Sequence, residues 1–221
     1  MLRSVSVLGV DGWHGGWVGA EVEDGTVRWH VGSARELLQV DADAVGIDIP
    51  IGLPDRGTRP CDVLAKARLG KAAAAVFWAP PRAALAASTH AEAVLACKAR
   101  DAPGMSRQAW GIVPKITEVD SWMVADRQRR VVEVHPELSF RVLDARVADP
   151  KRTARGVGQR LRALALWADL GDLADVPGGV GLDDALDALA ASWSAARWRG
   201  GAAEVLGGER DAHGLRMRIA V

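Results

Sequence analysis

Two short apolar runs, each closing on a single aspartate, constrain this chain more than any other feature. The first is Val5 to Asp11 (VSVLGVD); the second is Ala44 to Ile49, with Asp48 at its end. β-branched residues favour extended backbone, and no charged side chain interrupts either run before its acid, so both read as buried central strands. Side by side and parallel, they bring both carboxylates to one rim of a sheet. There two acids can share a divalent cation.

The residues between and after these runs give the order of elements. Gly15 and Gly16 can take the positive φ of a tight turn within Trp13 to Trp17. Trp17 to Val22 is then a second strand, Asp24-Gly25 another turn, and Thr26 to Val31 a third strand. Ser33 and Glu36 have the spacing of a capping box, which starts a short helix running to about Val40. From Pro54 to about Arg130 the chain leaves the sheet. Helices are expected there over 64–75, over 83–100 with Ser88 or Thr89 as cap, and over 114–125; Pro80 and Pro81 break the first from the second. An excursion of this length usually shapes a substrate site or a lid. Val131 to Val134 is a fifth strand. A long helix over 153–170 follows, closed by Gly171, then a flexible joint at Gly178 to Gly181 and a last helix capped by Asp183. Leu215 to Val221 can add a short terminal strand. The expected class is α/β: one domain over 1–221 with a mixed five-stranded sheet flanked by helices, and a mainly helical insertion, 54–130, between strands four and five.

The last helix carries the most chemical information. Leu182, Leu186, Leu189 and Trp193 fall on one stripe at helical spacing and are expected to face the core. Asp184 and Asp187 point elsewhere, one turn apart, among Ala188, Ala191 and Ala195. Acids in a first helical turn complement the helix dipole, which accounts for Asp183 and Asp184 but not for Asp187, a turn deeper. Asp11, Asp48, Asp184 and Asp187 therefore form a candidate metal cluster. Packed without a cation, such carboxylates repel and some must hold protons. Mg²⁺ or Mn²⁺ prefers oxygen ligands of this kind, and two such ions about 4 Å apart can activate a water and stabilise a leaving oxygen at a phosphodiester. Asp11 would bridge them. Glu133, His135 and Glu137 share a face if the fifth strand continues through Pro136; either Glu could ligate or position water, and His135 could shuttle a proton. Arg59, Arg68, Arg82, Lys115 and Lys151 are candidate phosphate contacts, the guanidinium fork being matched to phosphate oxygens.

Charge limits the kind of partner. Twenty-eight basic residues are balanced by twenty-eight acidic ones, which argues against tight, sequence-blind duplex binding because that affinity comes from phosphate neutralisation. A small or structured nucleic acid suits the chain better, or a partner that supplies the binding. Cys61 and Cys97 are the only cysteines and have no zinc spacing, which fits a reduced, cytoplasmic chain. The N-terminus has Arg3 and then an apolar run too short for a signal core, and no stretch is long enough to span a membrane. Oligomeric state has no signature here.

In order along the chain come GVDGWHGGW (9–17), GIDIPIGLP (46–54), RPCD (59–62), ARLG (67–70), VFWAPPR (76–82), PKITEVD (114–120), EVHPELSF (133–140) and DDALDALAA (183–191). By these motifs the chain resembles an uncharacterised bacterial and archaeal family of predicted nucleases with a ribonuclease-H-like fold. Three hairpin strands, a helix and a strand ending in an acid also match the opening order of that fold. The DALDALA segment is similar to the terminal helix of RuvC-type Holliday-junction resolvases. That likeness implies a metal-dependent nuclease of DNA or RNA, with Asp11, Asp48, Asp184 and Asp187 as catalytic acids. It departs from the pattern at Lys151-Arg152, where a Lys-Lys pair is expected. Two other readings compete: a non-catalytic interaction module on the same fold, and a phosphotransferase of the actin and sugar-kinase group. The latter needs a second copy of the fold, which this chain lacks.

Overall fold

The computed structural model describes residues 4–221; Arg3, which entered the reading of the N-terminus, lies outside them. Among the described residues the sheet is mixed and has seven strands rather than five, in the order β3-β2-β1-β4-β5-β7-β6. The strands are β1 (Ser6–Trp13), β2 (Gly16–Glu23), β3 (Thr26–Gly32), β4 (Ala44–Ile47), β5 (Val131–Val134), β6 (Val205–Arg210) and β7 (Arg216–Ala220). β7 is the expected terminal strand. β6 was missed because it lacks an apolar alternation: Gly207 and Gly208 sit in its middle, both at positive φ. The chain forms two compact units. One comprises the residues up to Ile49, Arg130–Glu204 and the last two residues; the other comprises Pro50–Arg129 and Val205–Ile219.

In the first unit β1, β2 and β3 form the expected antiparallel meander, and β4 joins β1 in parallel with Val10 opposite Ile47. β5 pairs parallel to β4, Ile47 opposite Glu133. Helix α1 (Ala34–Leu37) starts at the reciprocal Ser33–Glu36 capping box. Helices α5 (Pro136–Leu143), α6 (Ala154–Leu164) and α7 (Leu182–Arg199) complete the unit. α5 was not foreseen. Pro136 takes its N1 position, where a proline's fixed φ favours a helix start, so the strand ends at Val134. α6 is shorter than expected: Gly171 lies in a separate 3₁₀ turn, Leu170–Asp175, capped by the Asp169 side chain. α7 is capped by Gly181 and not by Asp183.

The packing of α7 on the sheet is set by atoms that are missing. A methyl group added at Gly9 would stand 2.0 Å from the Ala188 carbonyl oxygen and 2.1 Å from the Ser192 amide nitrogen; one at Gly46 would stand 2.5 Å from the Ala191 oxygen. Glycine on β1 and β4 and alanine on α7 therefore let the helix backbone approach to van der Waals contact. Alternation then places Asp11, two residues past Gly9, and Asp48, two past Gly46, on the same helix-facing side. Leu186 and Leu189 are buried as the stripe predicts, but Leu182 is 49 % exposed, one turn too far toward the helix start to reach the core.

The second unit holds α2 (Pro60–Leu69), α3 (His90–Ala99) and α4 (Arg107–Trp122). α2 starts four residues earlier than expected, again from a proline at its first position, and continues as a 3₁₀ turn over Gly70–Ala75. The helix expected over 83–100 is split into a 3₁₀ turn, Arg82–Ala86, and α3, for which Thr89 accepts the capping bond from the Glu92 amide at 3.2 Å. α4 runs unbroken through Pro114, and so starts seven residues before the helix expected from that proline. Cys61 and Cys97 are buried free thiols. No helix among the described residues is long and apolar enough to cross a membrane.

The close approach yields a direct test. Gly9→Ala and Gly46→Ala each force α7 away from the sheet against backbone atoms that cannot yield. Each should cost at least about 3 kcal/mol in urea unfolding or prevent folding, whereas an alanine at exposed Gly104, which has open space, should stay within about 0.5 kcal/mol.

Candidate functional site

Asp11 ends the buried part of β1 and is 8 % exposed. Asp48 follows β4 directly, and its amide donates to the Val10 carbonyl at 3.0 Å, so the two acids leave neighbouring parallel strands at the same level. Asp187, 7 % exposed, comes down from α7 one residue before Ala188, the residue over Gly9. Three chain segments thus deliver three carboxylates to one rim within the first unit.

Their electrostatics are unfavourable. Burial, then Asp48 and Asp187, hold the Asp11 carboxyl well above the ordinary carboxylate range, although the Gly12 amide donates to it. Burial, then Asp187, push Asp48 up to about 8, with Lys151 opposing and Glu133 adding. Burial raises Asp187 to about 6 against the pull of Lys151. Asp184 is raised by burial and by Asp183, but the Gly181 amide donates to it, so it also caps its own helix at the margin of the cluster.

One cation is already present. Lys151, in the turn before α6, donates to Asp187 Oδ2 at 2.7 Å and lies 3.6 Å from Asp183. Burial works against its charge, but Asp187, Asp183 and Asp11 hold the ammonium above its ordinary value. Lys151, expected on phosphate, is here the counter-ion of the acids. Sequence reasoning had no access to that contact, which joins residues far apart in the chain. Asp183 and His14, whose charge reaches Asp184, were also not proposed for the site.

Other expected residues lie elsewhere. The shared face for Glu133, His135 and Glu137 fails because the strand stops at Val134. Val132 and Val134 pack with Ala191 on the α7 side, which turns Glu133 to the opposite face, although its charge still reaches Asp48. His135 precedes α5, and its carbonyl accepts from the Leu138 and Ser139 amides. Glu137 is held by Arg160 at 2.6 Å and Arg141 at 3.3 Å, which ties α5 to α6. Arg59, Arg68, Arg82 and Lys115 belong to the second unit. Arg59 is 1 % exposed; its guanidinium is spent on Asp62 and on the carbonyls of Ile51 and Gly52. Arg82 is clamped between Asp120 and Asp211. These two are internal staples of their unit, and the phosphate role expected of them is corrected. Arg68 is exposed on α2 and Lys115 half-buried on α4.

Hard oxygen donors with raised proton affinity suit Mg²⁺ or Mn²⁺. As the side chains stand, no three His, Cys, Asp or Glu among the described residues converge on a point that could hold a metal ion. Lys151 neutralises Asp187 instead. The donor chemistry fits a cation, and admitting one requires the ammonium to move.

A family model described as "Protein of unknown function (DUF429)" matches residues 9–212. The chain belongs to this family. No curated protein and no solved structure matched it. The DUF429 match takes in β1 from Gly9 on, β4 and α7, and spans all four candidate acids.

In this DUF429 chain the raised acids make stability fall with pH. A carboxyl that keeps its proton in the folded state to about 8 or 6, but loses it near 4 when unfolded, favours folding most at low pH and progressively less as pH rises between those values. Asp48→Asn, which cannot ionise, should melt about 5 °C above the native protein at pH 8.5, about 2 kcal/mol for a chain of this size. The gap should close toward pH 4. A constant gap, or a lower melting point for the variant at pH 8.5, would contradict the assignment.

Proposed function

We propose that this chain is a divalent-metal-dependent nuclease with a ribonuclease-H-like core, hydrolysing phosphodiester bonds of DNA or RNA. The observation that carries this reading is the delivery of Asp11, Asp48 and Asp187 from β1, β4 and α7 to one rim, at an electrostatic cost that a folded protein has no structural reason to bear. The order β3-β2-β1-β4-β5, with β2 alone antiparallel to its neighbours in the β1–β4–β5 group, supports the core assignment.

Bound Mg²⁺ or Mn²⁺ would supply a low-pKa water and neutralise charge on the phosphoryl oxygens. Asp11, Asp48 and Asp187 would hold it, with Asp11 central because both other acids act on it. Asp184 and Asp183 keep the local potential negative. A bound cation would compete with Lys151 for Asp187, which would free its ammonium for the phosphate contact expected of it from sequence. The balanced net charge restricts tight binding to short or structured nucleic acid.

The Lys151–Asp187 pair favours a second reading, a non-catalytic module whose ammonium has taken over the cation's place. Calorimetric titration with Mn²⁺ separates the two. The nuclease reading expects saturable binding, lost in Asp11→Asn, and binding about tenfold tighter in Lys151→Met, where the competing charge is gone. Cleavage of labelled single-stranded, duplex or branched nucleic acid should fall at least about 100-fold in Asp11→Asn with melting intact. A protein and a Lys151→Met variant that both fail to bind Mn²⁺ would leave the module.

A further inference from the structure

Beside the acid rim, and wholly within the first unit, lies a cavity of about 320 Å³ with a mixed lining. Val157 of α6 with Leu182 and Leu186 of α7 supply its apolar part; Lys151 and Arg152, with Asp183 and Asp187, supply its charged part. Leu182 is 49 % exposed here, an apolar side chain left open next to charged groups. Arg152 is exposed, and among the described residues no carboxylate pairs with it. The neighbouring bases differ: Lys151 is held by Asp187 and Asp183, and Arg160 by Glu137. A larger open groove along α6, lined by Arg146, Arg155 and Arg162, offers less, because Arg146 is forked on Asp144 and Arg155 faces Asp149 at 3.3 Å.

We propose that this cavity is a subsite for a single nucleotide unit, with its phosphate on Arg152 and the flat face of its base or sugar against Leu182, Val157 and Leu186. The volume lies at the small end of ligand pockets, which admits one such unit and excludes a stacked pair. An apolar wall alone would accept any small hydrophobe, and a lone guanidinium any anion. The two together, opening on Asp187, select an anion with an apolar body. The choice of a nucleotide rests on the phosphodiester reading above; the geometry of the subsite does not. In that frame the nucleotide adjoining the cut bond sits here, and the scissile phosphate is set at the acids.

The test is calorimetry on the full chain in EDTA, so that no metal is involved, with adenosine 5′-monophosphate, adenosine and inorganic phosphate as separate titrants. The monophosphate should bind at least tenfold tighter than either fragment. Arg152→Ala should weaken it about tenfold and Leu182→Ser at least threefold. Both positions are exposed, so melting temperatures should match the native protein, and Mn²⁺ affinity measured in parallel should not change. No saturation by the monophosphate at millimolar concentration overturns the subsite, as does equal binding of phosphate alone or equal affinity in both variants. Mn²⁺ binding without nucleotide binding removes the subsite and keeps the nuclease reading; nucleotide binding without Mn²⁺ binding does the reverse.

Discussion

Contact between the α7 backbone and the sheet, made at Gly9 and Gly46, is the constraint on which the rest depends. It is a steric fact before it is a chemical one. Two glycines and a row of alanines remove the side-chain layer that normally stands between a helix and a sheet. With that layer gone, a short side chain such as aspartate reaches from the helix to acids at the strand ends. Had Gly9 been valine, Asp187 would be too far away to perturb Asp11.

The second consequence is electrostatic. Against three carboxylates so placed, Lys151 supplies the direct counter-charge from a turn, with Arg160 acting on Asp187 from farther off. The arrangement settles by keeping protons on the raised acids and the ammonium on Asp187; under the reading proposed above, a harder cation would compete with both for the same oxygens. Glu137 and Arg160 brace α5 on α6 and so fix the platform from which Lys151 reaches across.

Much of this was legible along the chain. β1, β4 and their terminal acids could be read because an apolar run followed by one charge is a local pattern. So could the Ser33 cap, whose two partners are three residues apart. Asp187 stood out because the helix dipole explained its neighbours and not it. What could not be read depends on pairing between distant segments. A separation of 36 positions between Lys151 and Asp187 hides their contact. The face taken by Glu133 follows from where β5 stops, and a single proline, Pro136, decided that. Arg59 and Arg82 looked like surface bases until Asp62, Asp120 and Asp211 were found around them. Sequence shows a charge; only the fold shows whether it is already answered.

The crowding of like charge around Asp11 also bears on how such a chain can change over time. An amide put in place of Asp48 relieves repulsion and leaves the scaffold sounder, whereas no carbon can be added at Gly9 without breaking it. The acids are therefore easy to replace here and the architecture is not. A descendant in which Asp48 had become an amide would keep the same outline and, above neutral pH, withstand more heat than its parent.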